Sequence, residues 1–275
     1  MRWGRTFLLL LLSLWGGLAC ATPKNITLTT SVWEPYIMPT GSNQAGYAYD
    51  VVKAAFMEMG YSVDIQEIPW DEALKKTYKG TVDALFPEYY SKKATRYVAF
   101  SHSFLAGPLV LYKRIHDPIV LPQYEPFLAH LSQVFEALKQ YRFGVVAGYT
   151  NVPAFDKNHA LTKIAVVDDQ ANLKQLYEGK VDLIIIDKLN AQYILRHMLP
   201  PQYGKALVPL PRSIGQINLH VAFSKKAPNY QTKLHDFNEG IRRLQARFAT
   251  RDLMRKYIYE FIDQDLAPQR LNASP

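Results

Sequence analysis

Two stretches, "GTVDALFPE" at residues 80–88 and "GKVDLIIID" at residues 179–187, share one pattern. Each begins with a glycine, continues through Val-Asp and an apolar run, and ends in an acid. The likeness extends upstream, so that residues 74–83 and 173–182 are identical at six of ten positions. A single repeat at this long offset predicts two related lobes, because solenoid units recur every ~20–50 residues.

The segments around each copy alternate between strand and helix patterns. In the first half, the predicted strands are 26–32, 61–68 and 82–86, and the predicted helices begin at Asp50 and Trp70. In the second half, the predicted strands are 143–147, 164–167 and 181–186, and the predicted helices are 128–140, a helix from Val152, and 171–178. This alternation predicts an α/β fold with mostly parallel sheets.

Two irregular, proline-containing segments, residues 116–126 and 208–216, flank the second copy. A strand is predicted before the first segment and another at 217–223 after the second. An apolar stripe from Tyr230 to Phe248 predicts a C-terminal helix. We therefore interpret the second lobe as an insertion between two crossing strands. The predicted division is residues 22–111 and 217–275 for lobe 1 and residues 112–216 for lobe 2.

Residues 1–21 have the order of a secretory signal peptide. Two arginines precede an apolar core at 7–14, and small residues occupy the positions that signal peptidase reads before Ala21. Cleavage there would leave 275 − 21 = 254 residues, lower the formal net charge from +8 to +6, and place the protein in the periplasm. The alternative is a lipid anchor on Cys20, although Gly17 stands where such sites usually have leucine.

Composition argues against several other classes of protein. The predicted mature chain has no cysteine, so it contains neither a disulfide nor a thiol nucleophile. The basic residues occur in pairs and not in the dense runs of nucleic-acid-binding arms. The seven histidines show no metal-ligand spacing, and neither a Gly-x-Ser-x-Gly motif nor a phosphate-binding loop is present. The sequence therefore predicts a protein that is not an enzyme and needs no cofactor or metal.

The acids that end the two repeated stretches, Glu88 and Asp187, are candidate site residues. Ligands of open α/β sheets bind beyond the carboxyl ends of the strands, which is where both acids lie. Two lobes that face each other would direct both side chains into the cleft between them. The alternative is that each acid begins a loop or caps a helix, and for Asp187 capping and ligand binding are compatible.

Further motifs occur in a characteristic order along the chain. They are "SVWEPYIM" (31–38), "GYAYDVV" (46–52), "WDEALKKTYKGTVDALF" (70–86), "RYVAFS" (96–101), "FGVVAGYTN" (143–151), "EGKVDLIIID" (178–187) and "NEGIRRL" (238–244). Together they resemble the extracytoplasmic (periplasmic) solute-binding proteins of family 3, the amino-acid type that serves ABC importers. The resemblance covers nearly all of the predicted mature chain.

The resemblance implies a two-lobed periplasmic binding protein fold of type II. Each lobe would be a mostly parallel sheet flanked by helices, and two hinge strands would join the lobes. It implies a monomer that closes over a small solute and delivers it to an ABC permease in the inner membrane. Two alternatives are a ligand-sensing module for a membrane receptor and a periplasmic enzyme of the dehydratase kind on the same fold.

The family also implies roles for particular residues. Trp33 matches an aromatic residue that stacks on the ligand, and Tyr36 follows it in the same loop. Thr150, next to Tyr149, matches a hydroxyl that grips a ligand carboxylate near a helix start. Asp187 matches the acid that pairs with an α-amino group.

One position departs from the family pattern. The arginine that clamps the α-carboxylate bidentately is replaced here by Ala94. The basic residues nearby, Lys92, Lys93 and Arg96, are out of register with it. The remaining predicted site combines acids, including Glu88, with aromatic faces, a combination that suits a cation. We therefore expect an amine-bearing solute, an amino acid or a related compound, held chiefly by Asp187 and Trp33.

Overall fold

The computed structural model describes residues 24–247 of the chain. Its β-strands are β1 Lys24–Thr30, β2 Tyr61–Glu67, β3 Ala84–Tyr89, β4 Val98–Phe100, β5 Leu105–Arg114, β6 Arg142–Val146, β7 Thr162–Val166, β8 Leu183–Asp187 and β9 Leu207–Ser224. Its α-helices are α1 Tyr47–Glu58, α2 Trp70–Lys79, α3 Leu131–Ala137, α4 Pro153–Asp156, α5 Asp169–Tyr177, α6 Lys188–Tyr193, α7 Pro201–Ala206 and α8 Tyr230–Ala246. The predicted signal peptide with Cys20, and Phe248 at the end of the apolar stripe, lie outside the described residues.

The strands form two parallel groups that are joined by two long crossing strands. In lobe 1, β2, β1 and β3 are parallel, and in lobe 2, β8, β6 and β7 are parallel. The crossing strands β5 and β9 pair with each other in antiparallel fashion, β9 with β3 and β5 with β8. Hydrogen bonding is therefore continuous through all nine strands, in the order β2-β1-β3-β9-β5-β8-β6-β7 with β4 on β9.

Separate apolar cores lie on both faces of each group of strands. In lobe 1, α1 and α8 cover one face of β1 and β3, and the side chains of α2 pack on the other. In lobe 2, successive residues of β8 point to opposite sides, with Leu183 and Ile185 in one core and Ile184 and Ile186 in the other. All five residues of β8 are buried, as its continuous apolar sequence predicts. Between Lys24 and Arg247, none of the helices is long and apolar enough to cross a membrane.

The repeated Val-Asp pairs have the same structural role in both lobes. Asp83, just before β3, accepts a hydrogen bond of 2.9 Å from the backbone amide of Thr27 in β1. Its counterpart Asp182, just before β8, accepts one of 2.9 Å from the amide of Arg142 in β6. Each aspartate thus fixes the start of one parallel strand beside the next. The repeat is accounted for by this local requirement of a parallel strand pair.

The repeated glycines end the helices that precede these strands. Gly80 and Gly179 have φ angles of +82° and +73°, a left-handed conformation that glycine adopts at little cost. The amide of each returns to a carbonyl of the helix before it, α2 or α5. Gly80 is the C-cap of α2, so the glycine of the repeat is the residue at which this helix stops.

Replacing Asp182 by asparagine is expected to destabilise the protein by about 1–2 kcal/mol, the range of a hydrogen-bonded charge in a partly exposed site. The Arg142 guanidinium lowers the pKa of Asp182 to about 2, and Arg114 contributes as well. Because that pKa is depressed, the stabilisation exists above pH ~4 and disappears as the pH falls toward ~2. Urea unfolding at pH 7 and pH 3 measures both effects. Asp64→Asn, at an exposed position of β2, is the control and should change little.

One segment differs clearly from the sequence prediction. Residues 208–216, expected to be irregular, belong to β9, which runs unbroken from Leu207 to Ser224. The two prolines of this segment are accommodated because the pairing with β5 is irregular there, with register shifts between Leu109 and Tyr112. Proline is tolerated in a strand where the ladder is interrupted in this way. The other segment, 116–126, contains no strand or helix among the described residues, as predicted.

Helix boundaries also depart from the predictions. Asp50 does not cap α1, which begins one turn earlier at Tyr47. The amides of Tyr47 and Ala48 donate to carbonyls of the loop after β1, so tertiary contacts supply the N-terminal cap. The helix predicted from Val152 is a single turn, and the one predicted at 128–140 is a 3₁₀ turn followed by α3.

Candidate ligand-binding site

The carboxyl ends of the parallel strands of both lobes face one cavity of about 550 Å³. Lobe 1 contributes the loop after β1, the end of β3 and the start of α2. Lobe 2 contributes the loop after β6 and the end of β7. This volume lies within the range of ordinary small-molecule sites, about 300–1,000 Å³. The cavity is thus where the strand order predicts a ligand site.

A second, smaller cavity adjoins the first. Its volume is about 10 Å³, roughly the size of one water molecule. Asp169 and Asp187 line it, whereas Trp33, Tyr89 and Tyr149 line both cavities. Acidic groups and aromatic rings therefore surround a space that fits one small polar group.

Trp33 forms one wall of both cavities. It stacks on Tyr36 with ring centroids 4.4 Å apart and meets the ring of Tyr89 edge-on at 6.1 Å. Two backbone hydrogen bonds between Trp33 and Ile37, of 3.0 and 2.9 Å, close the loop that carries it. The indole ring is therefore held rigidly, with one edge toward Asp169. The flat surface expected from the sequence is present at the cavity.

Asp187 is 5% exposed and lines the smaller cavity. Its Oδ1 atom accepts three hydrogen bonds, of 3.0 Å from the Tyr36 hydroxyl, 2.9 Å from the Leu189 amide and 3.0 Å from the Asn190 amide. Asp187 therefore caps α6, and capping and a place at the cavity coexist. Burial raises the pKa of Asp187 to about 6, while its hydrogen bonds oppose the rise.

Tyr36 contacts the candidate site through Asp187 and not through a cavity wall. It is only 1% exposed and lines neither cavity, and its hydroxyl donates to Asp187. Because Tyr36 belongs to lobe 1 and Asp187 to lobe 2, this hydrogen bond also crosses between the lobes. The structure thus places Tyr36 as a residue that positions Asp187.

Glu88 lines the larger cavity at the end of β3. Its Oε1 atom accepts a hydrogen bond of 2.9 Å from the amide of the next residue, Tyr89. Burial raises the pKa of Glu88 to about 7, and this single amide opposes the rise. The structure therefore places a carboxyl that is poorly stabilised as an anion at the edge of the ligand cavity.

Asp169 also lines the candidate site, although it was not predicted from the sequence. It is 6% exposed and lines the smaller cavity. Its Oδ2 atom accepts a hydrogen bond from the Tyr149 hydroxyl at 3.4 Å, which is long for such a bond. The N–H of Trp33 faces the same carboxyl and opposes the rise in its pKa, but has no hydrogen-bond partner of ordinary geometry. Burial nevertheless raises the pKa of Asp169 to about 7.

A signal for Asp169 was present in the sequence. The pair Asp168-Asp169 follows β7 after one residue, Val167, and Glu88 and Asp187 likewise lie at the ends of their strands. The two neighbours have different roles: Asp168 accepts from the Ala171 amide at 2.6 Å and caps α5, whereas Asp169 faces the cavity. The rule that ligands bind beyond strand ends, applied to β7 as well, would have included Asp169 in the prediction.

The loop after β6 provides little for an anion. Tyr149 and Thr150 line both cavities, as expected of site residues. However, helix α4 is one turn long and begins with Pro153, which has no N–H to offer. The amide of Asn151 is already bonded to Asp156 at 2.9 Å. The Asn151 amide and the first position of α4 therefore offer nothing to an anion, and the role of the Thr150 hydroxyl stays a prediction.

Several residues near the candidate site lie outside the two cavities. Ala94 packs in a small core of lobe 1, and the basic residues around it are exposed. Tyr90 is 57% exposed and packs on Phe100. Glu34 contributes its carbonyl oxygen to a hydrogen bond of 2.5 Å from the Asn190 side chain. None of the basic side chains around Ala94 therefore lines either of the two cavities.

The charged residues that line the two cavities in the described part of the chain are all acidic. Within the described range 24–247, the residues that line the two cavities include five acids and neither lysine, arginine nor histidine. The five are Asp71, Glu88, Asp168, Asp169 and Asp187. Over the same range, no group of three or more His, Cys, Asp or Glu side chains is arranged to hold a metal ion. The arrangement is suited to an organic cation.

Solved structures share this fold at low sequence identity. The substrate-binding protein of an amino acid ABC transporter is 19% identical, with a TM-score of 0.66 over 85% of this chain and 98% of the other. A histidine kinase sensor domain with similarity to periplasmic binding proteins is 19% identical, with a TM-score of 0.70 over 85% and 95%. The ancestral amino-acid-binding protein AncCDT-1, a precursor of cyclohexadienyl dehydratase, is 16% identical, with a TM-score of 0.64 over 85% and 94%.

These likenesses confirm the predicted fold class, a two-lobed periplasmic binding protein of type II. No curated protein matches the sequence. Residues 26–260 match the family described as bacterial extracellular solute-binding proteins, family 3. Because this match spans most of the sequence, the chain belongs to the bacterial extracellular solute-binding proteins, family 3.

Proposed function

We propose that this protein is a periplasmic binding protein that captures a small amine-bearing solute between its lobes and delivers it to an ABC importer. The solute is an amino acid or a related compound, and the protein binds it without chemical change. The observation that carries the proposal is the cavity lined by acids and aromatic rings and by no basic side chain in the described part of the chain. A buried carboxylate without a partner is costly, so such a cavity favours a cationic ligand.

Capture would use closure of the lobes about the crossing strands. The proposed lobes are residues 22–111 with 217–275, and residues 112–216. Among the strands of residues 24–247, only β5 and β9 connect the parallel strands of one lobe to those of the other, and such two-strand connections suit a hinge motion. Export through a signal peptide ending near Ala21, a monomeric state and an inner-membrane permease as partner complete the proposal.

Amines are expected to raise the melting temperature of the protein, and acidic compounds of similar size are not. A ligand at 100 times its Kd adds about 2.7 kcal/mol of stability. For a chain of this size that corresponds to an increase of ~5–10 °C. A thermal-shift panel of amines, amino acids, amino-acid amides and dicarboxylates tests this. If dicarboxylates stabilise the protein and amines do not, the proposed function is wrong.

Repeating the thermal-shift panel on the Asp187→Asn variant tests whether Asp187 is part of the binding site. Asparagine keeps an oxygen that can accept the Leu189 and Asn190 amides and is a good helix cap, so the unliganded protein is expected to stay folded. Removal of the charge is expected to abolish the amine-induced shift. Asp187→Ala is a poorer test because it leaves three donors without an acceptor. An Asp187→Asn protein that still responds to amines would place the binding site elsewhere.

Sensing is a second candidate, because the same cavity can serve a receptor. The likeness to a histidine kinase sensor domain shows that the fold occurs in that setting. Isolation of the protein's partner from detergent-solubilised membranes in the presence of an amine distinguishes the two. A permease with its ATPase supports transport, whereas a membrane receptor supports sensing.

A further inference from the structure

The acids that line the cavities differ in how well their charges are stabilised. Asp168 accepts the Ala171 amide as the cap of α5. Asp187 accepts three hydrogen bonds on one oxygen. Asp71 is exposed, so water stabilises its charge. The two remaining acids, Glu88 and Asp169, have less support.

Within residues 24–247, Glu88 has one hydrogen-bond donor, and Asp169 has one long one besides the Trp33 N–H, which faces it without ordinary hydrogen-bond geometry. For Glu88 it is the amide of Tyr89 at 2.9 Å, and for Asp169 it is the hydroxyl of Tyr149 at 3.4 Å. Asp169 is nevertheless 6% exposed, and burial raises the pKa of both carboxyls to about 7. Asp169, which is buried, and Glu88, which is partly exposed, have so few donors that a cation from the ligand would stabilise both as anions.

The two acids lie at different ends of the site. Glu88 belongs to lobe 1 and lines only the larger cavity, whereas Asp169 belongs to lobe 2 and lines only the smaller one. The rings of Trp33, Tyr89 and Tyr149 line both cavities. Aromatic faces accommodate an alkyl chain and also attract cations. A ligand that extends from one acid to the other passes along these rings.

We infer that the solute is a dication, with two ammonium groups joined by an apolar chain, one bound by Asp169 beside Asp187 in the smaller cavity and the other by Glu88. This inference rests on the proposed function, because it concerns the same cavity. A ligand carboxylate would meet no basic side chain among the described lining residues. The ligand class is therefore a linear diamine or polyamine. Asp169 and Glu88 are its specificity-determining residues.

The smaller cavity adds a requirement on the ammonium group that enters it. Its volume, about 10 Å³, fits a water-sized group. A primary ammonium has that size, and a trimethylated one is much larger. The end of the ligand at Asp169 is therefore an unsubstituted ammonium.

Calorimetric titration with α,ω-diaminoalkanes of increasing length, and with monoamines of matched length, tests the inference. The best diamine is expected to bind at least ~10-fold more tightly than its monoamine, equivalent to about 1.4 kcal/mol. Methylation of both nitrogens to trimethylammonium is expected to abolish binding. The length of the best diamine reports the separation of the two acids.

Two variants test which acid binds which ammonium group of the diamine. Glu88→Gln is expected to abolish the difference between diamine and monoamine affinity. Asp169→Asn is expected to weaken both ligands by ~10-fold or more. The matched controls are Glu72→Gln on α2 and Asp64→Asn on β2, both exposed and outside the cavity lining. Melting curves of each unliganded variant establish that it is folded.

The outcomes separate this inference from the proposed function. If monoamines or amino acids bind but diamines bind no more tightly than these, the inference of a dicationic solute is wrong and the proposed function stands. If Glu88→Gln leaves the ratio of diamine to monoamine affinity unchanged, Glu88 is not the second cation site. If no amine of any kind binds the folded protein, both proposals are wrong.

Discussion

Replacing Gly107 by alanine is expected to weaken ligand binding by ~30-fold or more and to destabilise the protein by ~2–3 kcal/mol. Gly107 lies in the crossing strand β5, two residues before Leu109, which lines the smaller cavity. A Cβ atom there would lie 2.0 Å from Oδ2 of Asp187 and 2.9 Å from the hydroxyl of Tyr36. Those contacts are too close, so the Asp187 side chain has to leave its position. The substitution would break the cap of α6 and the hydrogen bond between the lobes together.

A second-site change separates the two effects of this substitution. In Gly107→Ala/Asp187→Ser, the shorter serine avoids the new methyl group and can still cap α6. We expect stability to recover and ligand binding to remain lost, because the carboxylate is absent. Gly204→Ala is the control, since its added Cβ would meet nothing closer than 3.6 Å. Chemical unfolding and calorimetric titration of the four proteins are the measurements. Binding by Gly107→Ala at the affinity of the natural protein would show that Asp187 is not part of the site.

The fold could be predicted from the sequence because its signals are local. The glycine that stops α2, the buried run of β8 and the alternation of strands and helices are all determined by short segments. The start of α1 could not be predicted in this way, because the loop after β1 supplies its cap through tertiary contacts. The continuity of β9 was missed for a similar reason. Its prolines are tolerated only because the paired strand β5 is irregular beside them.

The site was predicted in part, and the limits have physical causes. The ends of β3 and β8 indicated Glu88 and Asp187, and both line a cavity in the structure. Tyr36 was assigned to the ligand by its position in a motif, but only the fold shows that its hydroxyl turns back to Asp187. Asp169 resembles an ordinary first residue of a helix. Its difference from Asp168 depends on the direction of each side chain, which the sequence does not specify.

The stability of the unliganded protein and its affinity for a diamine are expected to change with pH in opposite directions. Burial raises the pKa of Glu88 and Asp169 to about 7 and that of Asp187 to about 6. A carboxyl whose pKa is raised in the folded state favours folding when it is protonated. The stability of the unliganded protein is therefore expected to fall as the pH rises from ~4 to ~7. Cation binding needs the ionised carboxyls, so diamine affinity is expected to increase over the same range.

Other groups titrate near this window and have to be separated from the three acids. Burial lowers the pKa of His220 and His197, and this reduces stability below pH ~6.5. The low pKa values of Asp182 and Glu239 affect stability only below pH ~4. Because these contributions are common to all variants, the difference between Asp169→Asn and the natural protein isolates Asp169.

Asp169→Asn is expected to be about as stable as the natural protein at pH 5 and more stable at pH 8, by on the order of 2 kcal/mol, since each pKa unit corresponds to about 1.4 kcal/mol. At pH 8 the natural protein has to bury an ionised carboxyl that only the Tyr149 hydroxyl and the Trp33 N–H support weakly, and asparagine removes that charge. Melting temperatures of unliganded protein at the two pH values give the comparison, with an expected difference of ~4–8 °C at pH 8. Diamine titrations of the natural protein over the same range should show Kd rising as the pH falls. A stability difference that does not depend on pH would mean that Asp169 remains ionised throughout, and the cavity would then have no need of a cation at that position.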